Sequence, residues 1–225
     1  MVMRFKAVLF DLDGTLLDTL EDIARSMNSV LMSAGFSPHP VEAYRKFIGE
    51  GIANLVRCAL PGNVTDERFV QKHVSDMIEE YGRRWAEHTR PYPEIAELLD
   101  ELTKRNIKMA VLSNKMDTFT NKMVKTFLGA WRFAEVLGAR HSLPQKPDPA
   151  GALHISRKCT VKPEEFIYLG DSNIDMRTAL HAGMFPVGAL WGFQTADQLR
   201  AAGAQVLVAT PLELLTLFDA AANRL

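Results

Sequence analysis

Residues 7–15 read Ala7-Val8-Leu9-Phe10-Asp11-Leu12-Asp13-Gly14-Thr15. The first four are apolar without alternation, the pattern of a strand buried on both faces inside a parallel sheet. Asp11 closes the run, Asp13 follows it, and Gly14 lets the backbone turn sharply. In open α/β sheets ligands bind beyond the carboxyl ends of the strands, so Asp11 and Asp13 fall where chemistry is expected.

Downstream of this stretch the pattern becomes helical. Leu20, Ile23, Ala24, Met27, Val30, Leu31 and Ala34 recur at helical spacing, with Gly35 as the C′ residue. Thr19 with Asp22 resembles a capping box. Helical pattern continues over residues 41–60, broken at Gly49-Glu50-Gly51 and closed by Pro61-Gly62. A third helix is predicted from Phe69, Val70, His73, Val74, Met77, Ile78, Tyr81 and Trp85. Residues 17–90 contain no strand signal, so they read as an all-helical cap inserted after the first strand. The core is then 1–16 with 91–225.

From Pro91-Tyr92-Pro93 onward strands and helices alternate. Strands are predicted at 108–113, 135–138, 166–169, 186–190 and, weakly, 205–208. Helices are predicted around Ile95 to Leu102, at 117–128, from an Asp148-Pro149 cap to 158, at 174–182, and from Pro211 to the end. The fold class is α/β, a doubly wound, Rossmann-like parallel sheet carrying the helical cap.

The 225-residue chain carries a formal net charge of −1, which gives no global field to draw nucleic acid or an anionic membrane. An anionic ligand would need local donors. Cys58 and Cys159 lack CxxC spacing and read as reduced thiols of a cytoplasmic protein. Residues 1–6 are too short and polar for an export leader, and no run approaches a membrane span.

Polar groups recur just past the predicted strands: Asp11 with Asp13, Ser113, Lys146, and Asp171 with Asp175. Any one alone reads more simply as a cap, a turn residue or a solvated charge. Gathered at one sheet edge, however, the carboxylates would repel one another unless a cation lay among them. Oxygen ligands of this kind, shared with a substrate phosphate, suit Mg²⁺. No His or Cys cluster has zinc spacing.

Phe10-Asp11-Leu12-Asp13-Gly14-Thr15, Leu112-Ser113-Asn114, Lys146-Pro147-Asp148-Pro149 and Gly170-Asp171-Ser172-Asn173-Ile174-Asp175 resemble, in order, the four motifs of the haloacid dehalogenase-like hydrolases. The resemblance covers essentially the whole chain. Within that family the chain is most similar to phosphoglycolate phosphatases, through Pro91-Tyr92-Pro93, Asn114-Lys115 and Gly170-Asp171-Ser172. The resemblance implies a Mg²⁺-dependent phosphatase acting on a small phosphate monoester through an aspartyl-phosphate.

Residue by residue, the resemblance implies Asp11 as nucleophile and Asp13 as acid, then base. Thr15, Ser113, Asn114 and Lys146 would bind the phosphoryl group. Mg²⁺ would be held by Asp11, the backbone carbonyl of Asp13, and Asp171. Ser172 and Asp175 would support them, Asp175 either through a metal-bound water or by orienting the ligands.

Dehalogenases and phosphonatases of the family lack an acid at the Asp13 position. Phosphomutases keep it but carry Glu-Asp where this chain has Gly170-Asp171. A phosphatase is therefore the first reading and a phosphomutase the second. A non-catalytic binding module on the same fold is a third, and retention of the nucleophile, acid, lysine and carboxylates argues against it.

The cap would close over the site, with Gly49, Glu50 and Gly51 either facing the substrate or forming an ordinary interhelical turn. A closed cap favours a small ester, with no nucleic acid or membrane partner, and the protein would be a monomer or homodimer. Two positions depart from the family pattern: Glu94 stands where Gly is usual, and Ser113 where Thr is. The first bears on the choice of ester. Trp85, Trp131, Trp191 and His73 read as core or interface, and the loop 188–192 is left outside the site. Lys115 reads equally as a phosphate contact or a solvated charge.

Overall fold

The computed structural model describes residues 5–62 and 66–220. Residues 1–4 of the segment expected to be no leader, and residues 221–225 of the expected C-terminal helix, lie outside the described residues.

The first strand, β1 (Ala7–Phe10), is wholly buried. After β2 (Leu17–Asp18) come three helices, α1 (Leu20–Ser33), α2 (Ile52–Ala59) and α3 (Glu67–Arg84), with a 3₁₀ turn at Val41–Lys46. β3 (Arg90–Pro91) and α4 (Ile95–Lys104) lead back to the sheet. There follow β4 (Lys108–Met116), α5 (Asp117–Phe127), β5 (Glu135–Ala139), α6 (Ala150–Cys159), β6 (Phe166–Gly170), α7 (Asn173–Ala182), β7 (Phe185–Ala189), α8 (Ala196–Ala201), β8 (Val206–Val208), a 3₁₀ turn at Pro211–Leu215 and α9 (Thr216–Ala220).

The main sheet runs β5-β4-β1-β6-β7-β8, and every pairing in it is parallel. The chain builds outward from β1 on one side, then returns to build on the other. The loops after β1, β4 and β6 therefore meet at the switch point where such sheets bind ligands. Val8 and Phe10 pack with Leu98, Leu102 and Met123 on one face, while Ala7 and Leu9 pack with Ala152, Ile155 and Ala179 on the other. An unbroken apolar run is what a strand covered on both faces requires.

The cap helices have a core of their own, in which Ile23, Met27 and Leu31 of α1 meet Leu55 and Val56 of α2 and Val70, Val74 and Met77 of α3. Residues 17–90, read as free of strand, begin and end in one: β2 and β3 pair antiparallel, Leu17 with Pro91 and Asp18 with Arg90. Two-residue strands fall below any periodicity, and they pair because the chain enters and leaves the cap side by side.

The capping box expected at Thr19 is absent. Thr19 has φ −110° and ψ 0° rather than the extended backbone that aims a cap hydroxyl inward, and its Oγ1 is buried without a partner. Asp22 is occupied elsewhere. Its carboxylate accepts from the His88 and Thr89 amides and from the Thr89 hydroxyl, and lies 2.9 Å from His88 Nδ1, tying α1 to the returning strand. The helix expected from Asp148 opens at Ala150, with Asp148 Oδ1 accepting from the Ala150 amide. No helix among the described residues is long and apolar enough to cross a membrane.

Candidate active site

Asp11 extends β1 by one ladder bond, its amide donating to Leu169 O at 3.0 Å. Its Oδ1 accepts from the Leu12 amide at 2.7 Å and lies 2.9 Å from Lys146 Nζ. Among the described residues no hydrogen bond falls on Oδ2. Lys146 is buried and also reaches Asp175 Oδ1 at 2.7 Å, so one ammonium spans two carboxylates. The other Asp175 oxygen accepts from the Ser172 amide and hydroxyl in a capping box at the start of α7. With both oxygens engaged, Asp175 is arranged to orient its neighbours.

Asp171 ends β6. Its Oδ1 accepts from Thr15 Oγ1 at 2.9 Å and its Oδ2 from the Phe193 amide at 2.8 Å. Three glycines make room around these carboxylates. A Cβ on Gly14, which has φ +83°, would come within 2.3 Å of Asp171 Oδ2. One on Gly170 would lie 2.3 Å from Asp175 Cβ, and one on Gly192 would lie 2.2 Å from Asp171 Cβ.

Carboxylate oxygens of Asp11, Asp171 and Asp175 lie within 4.8 Å of one another, all buried. Burial, then the Asp175 charge, pushes Asp11 well above the usual carboxylate range despite Lys146 beside it. Burial and Asp175 likewise raise Asp171 to about 7. Burial and mutual repulsion thus disfavour the charge on both carboxylates, a repulsion a cation would offset, and the donor set of buried oxygens fits a hard divalent ion. Lys146 itself is raised well above its ordinary value, because Asp11 and Asp175 outweigh the burial that would lower it.

Asp13 faces the same cavity and is paired to Lys115, whose Nζ lies 2.9 Å from Oδ1 and 3.2 Å from Oδ2. That ammonium also sits 4.6 Å from the centroid of the Tyr81 ring on α3. Lys115 is thus neither solvated nor idle. Burial acts to lower it, but Asp13 and Tyr81 prevail and it is raised. It stands with Ser113 and Asn114 where the β4–β5 register shifts between Leu112 and Met116, a bulge that re-aims side chains toward the cavity.

Two expected phosphate contacts have protein partners in this structure. Thr15 is fully buried and gives its hydroxyl to Asp171, because the Gly14 turn packs it behind that carboxylate. Asn114 accepts from the Lys146 amide and donates to Lys146 O and to Gly49 O, both at 3.0 Å, so it braces the lysine loop and the cap. Ser113 lines the cavity, its Oγ accepting from the Lys115 amide.

From the cap, Gly49 (φ +125°) and Gly51 (φ +83°) shape the segment that touches the core. A Cβ on Gly51 would meet Gln145 Oε1 at 3.1 Å and Asn114 O at 3.6 Å, a close approach that glycine permits, whereas one on Gly49 would meet nothing within 4 Å. Gly49 and Gly51, unlike Glu50, line the cavity. Arg45, a second cap contact, donates to Gly192 O at 2.8 Å. The loop 188–192, left outside the site on sequence, is part of it: Gly192 abuts Asp171, and Trp191 Nε1 donates to Thr15 O at 2.9 Å. The Trp191-Gly192 pair just past a strand is the signal the sequence offers. Glu94 adopts the left-handed φ of +65° at the start of α4 and its carboxylate accepts from the Leu212 amide, away from the cavity. What the structure shows at Glu94 is a backbone feature, the left-handed residue that opens α4.

The haloacid dehalogenase-like hydrolase family profile matches residues 8–189. A phosphoglycolate phosphatase of Psychrobacter arcticus is 31% identical over 206 residues, covering 88% of this chain and 89% of that protein. Phosphoglycolate phosphatase 1 of Pseudomonas aeruginosa is 28% identical, over 97% of this chain and 81% of its own. Among solved structures, one described as a predicted phosphoglycolate phosphatase from Haemophilus somnus superposes with a TM-score of 0.88 at 26% identity, over 96% of this chain and 99% of its own.

Proposed function

The chain belongs to the haloacid dehalogenase-like hydrolases and is a phosphatase of that family; from that premise we propose that it hydrolyses a small phosphoglycolate-like monoester with Mg²⁺, through an aspartyl-phosphate on Asp11. The observation that carries this reading is the pairing of Asp11 and Asp13 at one cavity, each with a lysine ammonium 2.9 Å from its carboxylate.

Asp11 attacks phosphorus through Oδ2, the oxygen on which no hydrogen bond falls among the described residues, while Lys146 holds Oδ1. The bond from phosphorus to the ester oxygen breaks as Asp13 gives that oxygen a proton. Water then attacks the aspartyl-phosphate, Asp13 takes its proton, and inorganic phosphate leaves with Asp11 restored. Mg²⁺, held by Asp11, the Asp13 carbonyl and Asp171, would offset the repulsion between an anionic nucleophile and an anionic substrate. Ser113 donates to a phosphoryl oxygen, and Asp175 and Ser172 hold Lys146 in place.

The helical cap, residues 17–90, closes this cavity over the ester. The same reading has the enzyme cytoplasmic, as a monomer or homodimer without nucleic acid or membrane partners. Two unpaired cysteines, Cys58 and Cys159, support a reducing compartment.

The test is turnover of a panel of phosphate monoesters with Mg²⁺ and with chelator. Small esters should be hydrolysed only with metal. Full activity in chelator, or preference for nucleotides or phosphoproteins, would overturn the reading.

A further inference from the structure

Lys115 is given no step of its own toward the substrate above, yet it is among the most enclosed charges of the cavity, its side chain 8% exposed. Its ammonium shares a carboxylate with the leaving-group oxygen: Asp13, which protonates that oxygen, lies 2.9 Å from Lys115 Nζ. A substituent one carbon beyond the ester oxygen therefore comes within reach of the ammonium.

The walls around it are largely apolar, with Ile23, Leu55 and Met77 from the cap and Phe119 from α5 lining the cavity. Such walls leave the hydroxyls of a sugar or glycerol without partners, which is costly for a buried polar group. Arg45, the remaining cavity cation, is committed to the Gly192 carbonyl beside Asp171, toward the metal cluster. The leaving-group end is thus an apolar pocket with one ammonium, aimed from the Asp13 side.

We propose that Lys115 is a specificity-determining residue that binds a carboxylate carried on the carbon next to the ester oxygen. Tyr81, stacked against the same ammonium from the cap, fixes it in that position. The inference rests on the phosphatase reading and deepens it, because it states which small esters are preferred and through which atom.

The test compares phosphoglycolate with two esters of similar size, 2-hydroxyethyl phosphate (neutral) and phosphoethanolamine (cationic), on the parent, Lys115→Met and Lys115→Arg. The parent should prefer phosphoglycolate. In Lys115→Met the ratio of kcat/KM for phosphoglycolate to that for 2-hydroxyethyl phosphate should fall about 10- to 100-fold, the effect of one lost charge-assisted hydrogen bond, and mostly through KM. Lys115→Arg should restore part of the ratio. A ratio unchanged while both esters slow together would overturn the proposal and leave Lys115 as a support for Asp13. Should Lys115→Met not fold, product inhibition of the parent decides: glycolate should compete and ethylene glycol should not, and equal inhibition would overturn the proposal. A parent that hydrolyses all three esters equally sinks this inference alone, whereas a parent inert on all of them sinks the phosphatase reading with it.

Discussion

Gly192 packs so closely on Asp171 that a methyl group in place of its hydrogen would lie 2.2 Å from the Asp171 Cβ. The next amide, that of Phe193, donates to the same carboxylate at 2.8 Å. One loop thus both limits and orients the Asp171 side chain. Gly192→Ala should displace it and lower Mg²⁺ affinity and activity by about 10- to 100-fold, the usual cost of disturbing the groups behind a ligand. Activity titrated against Mg²⁺ measures this, and an unshifted midpoint would contradict it.

Asp11→Asn keeps the side-chain volume but removes the attacking charge. Turnover should drop by at least about a thousandfold on every ester, with the melting transition still cooperative. Labelled phosphate should be trapped on the parent protein and not on the variant. Label appearing on the variant would exclude Asp11 as the attacking group.

Without metal, Asp171 titrates near 7 in the folded protein because burial and Asp175 disfavour its charge, whereas an unfolded Asp titrates near ~3.9. Between those values the folded state binds the extra proton, so stability falls as pH rises through that window and levels off above about 7. Metal-free protein should therefore melt lower at pH 8 than at pH 5.5, and Mg²⁺ should raise the melting temperature more at pH 8. Melting curves in chelator and in Mg²⁺ at both pH values check this. A metal-free protein more stable at pH 8 would contradict it.

Gly51→Val puts a β-branched side chain at φ +83° and 3.1 Å from Gln145 Oε1. The cap segment must shift to accept it, at a local cost of about 1–2 kcal/mol. Selectivity between phosphoglycolate and larger alkyl phosphates should change about tenfold, by more than turnover of nitrophenyl phosphate changes. Steady-state kinetics on those esters gives the comparison, and parallel losses on all of them would count against the cap as a specificity element.

Glu94 holds a left-handed φ of +65°, which costs an L-residue energy that glycine avoids. Glu94→Gly should stabilise the fold by about 0.5–1 kcal/mol after the greater chain entropy of glycine is deducted. Ester preference should not move. Denaturant unfolding with parallel kinetics tests both halves.

The parallel sheet is legible in sequence because its central strands are apolar at every position, and 7–10 and 166–169 mark themselves. Asp11 and Asp171 are legible because each directly follows such a strand. Side-chain partners are less so. Thr15 and Asn114 look like phosphate donors, but their hydrogen-bond partners, Asp171 and Gly49, lie far along the chain, where no local pattern can announce them. Lys115 is ambiguous for the same reason, since its burial depends on Tyr81 arriving from the cap. The helix α8 is too short for periodicity, although Thr195 and Gln198 spell its capping box in the sequence.

The two-stranded ribbon joins the inserted helices to the sheet in an arrangement that has an evolutionary consequence. Asp18 and Arg90 face each other as a ladder pair, so the points where the insertion departs and returns are neighbours in space. A two-residue turn between them would close the ribbon as a hairpin and delete the whole insertion, leaving the sheet connections as they are. The reverse operation is equally direct, because any helical unit whose ends lie one strand spacing apart can be spliced in at this junction. The ribbon makes the helical unit a separable part, joined to the strands, carboxylates and lysine of the sheet through two adjacent residue pairs.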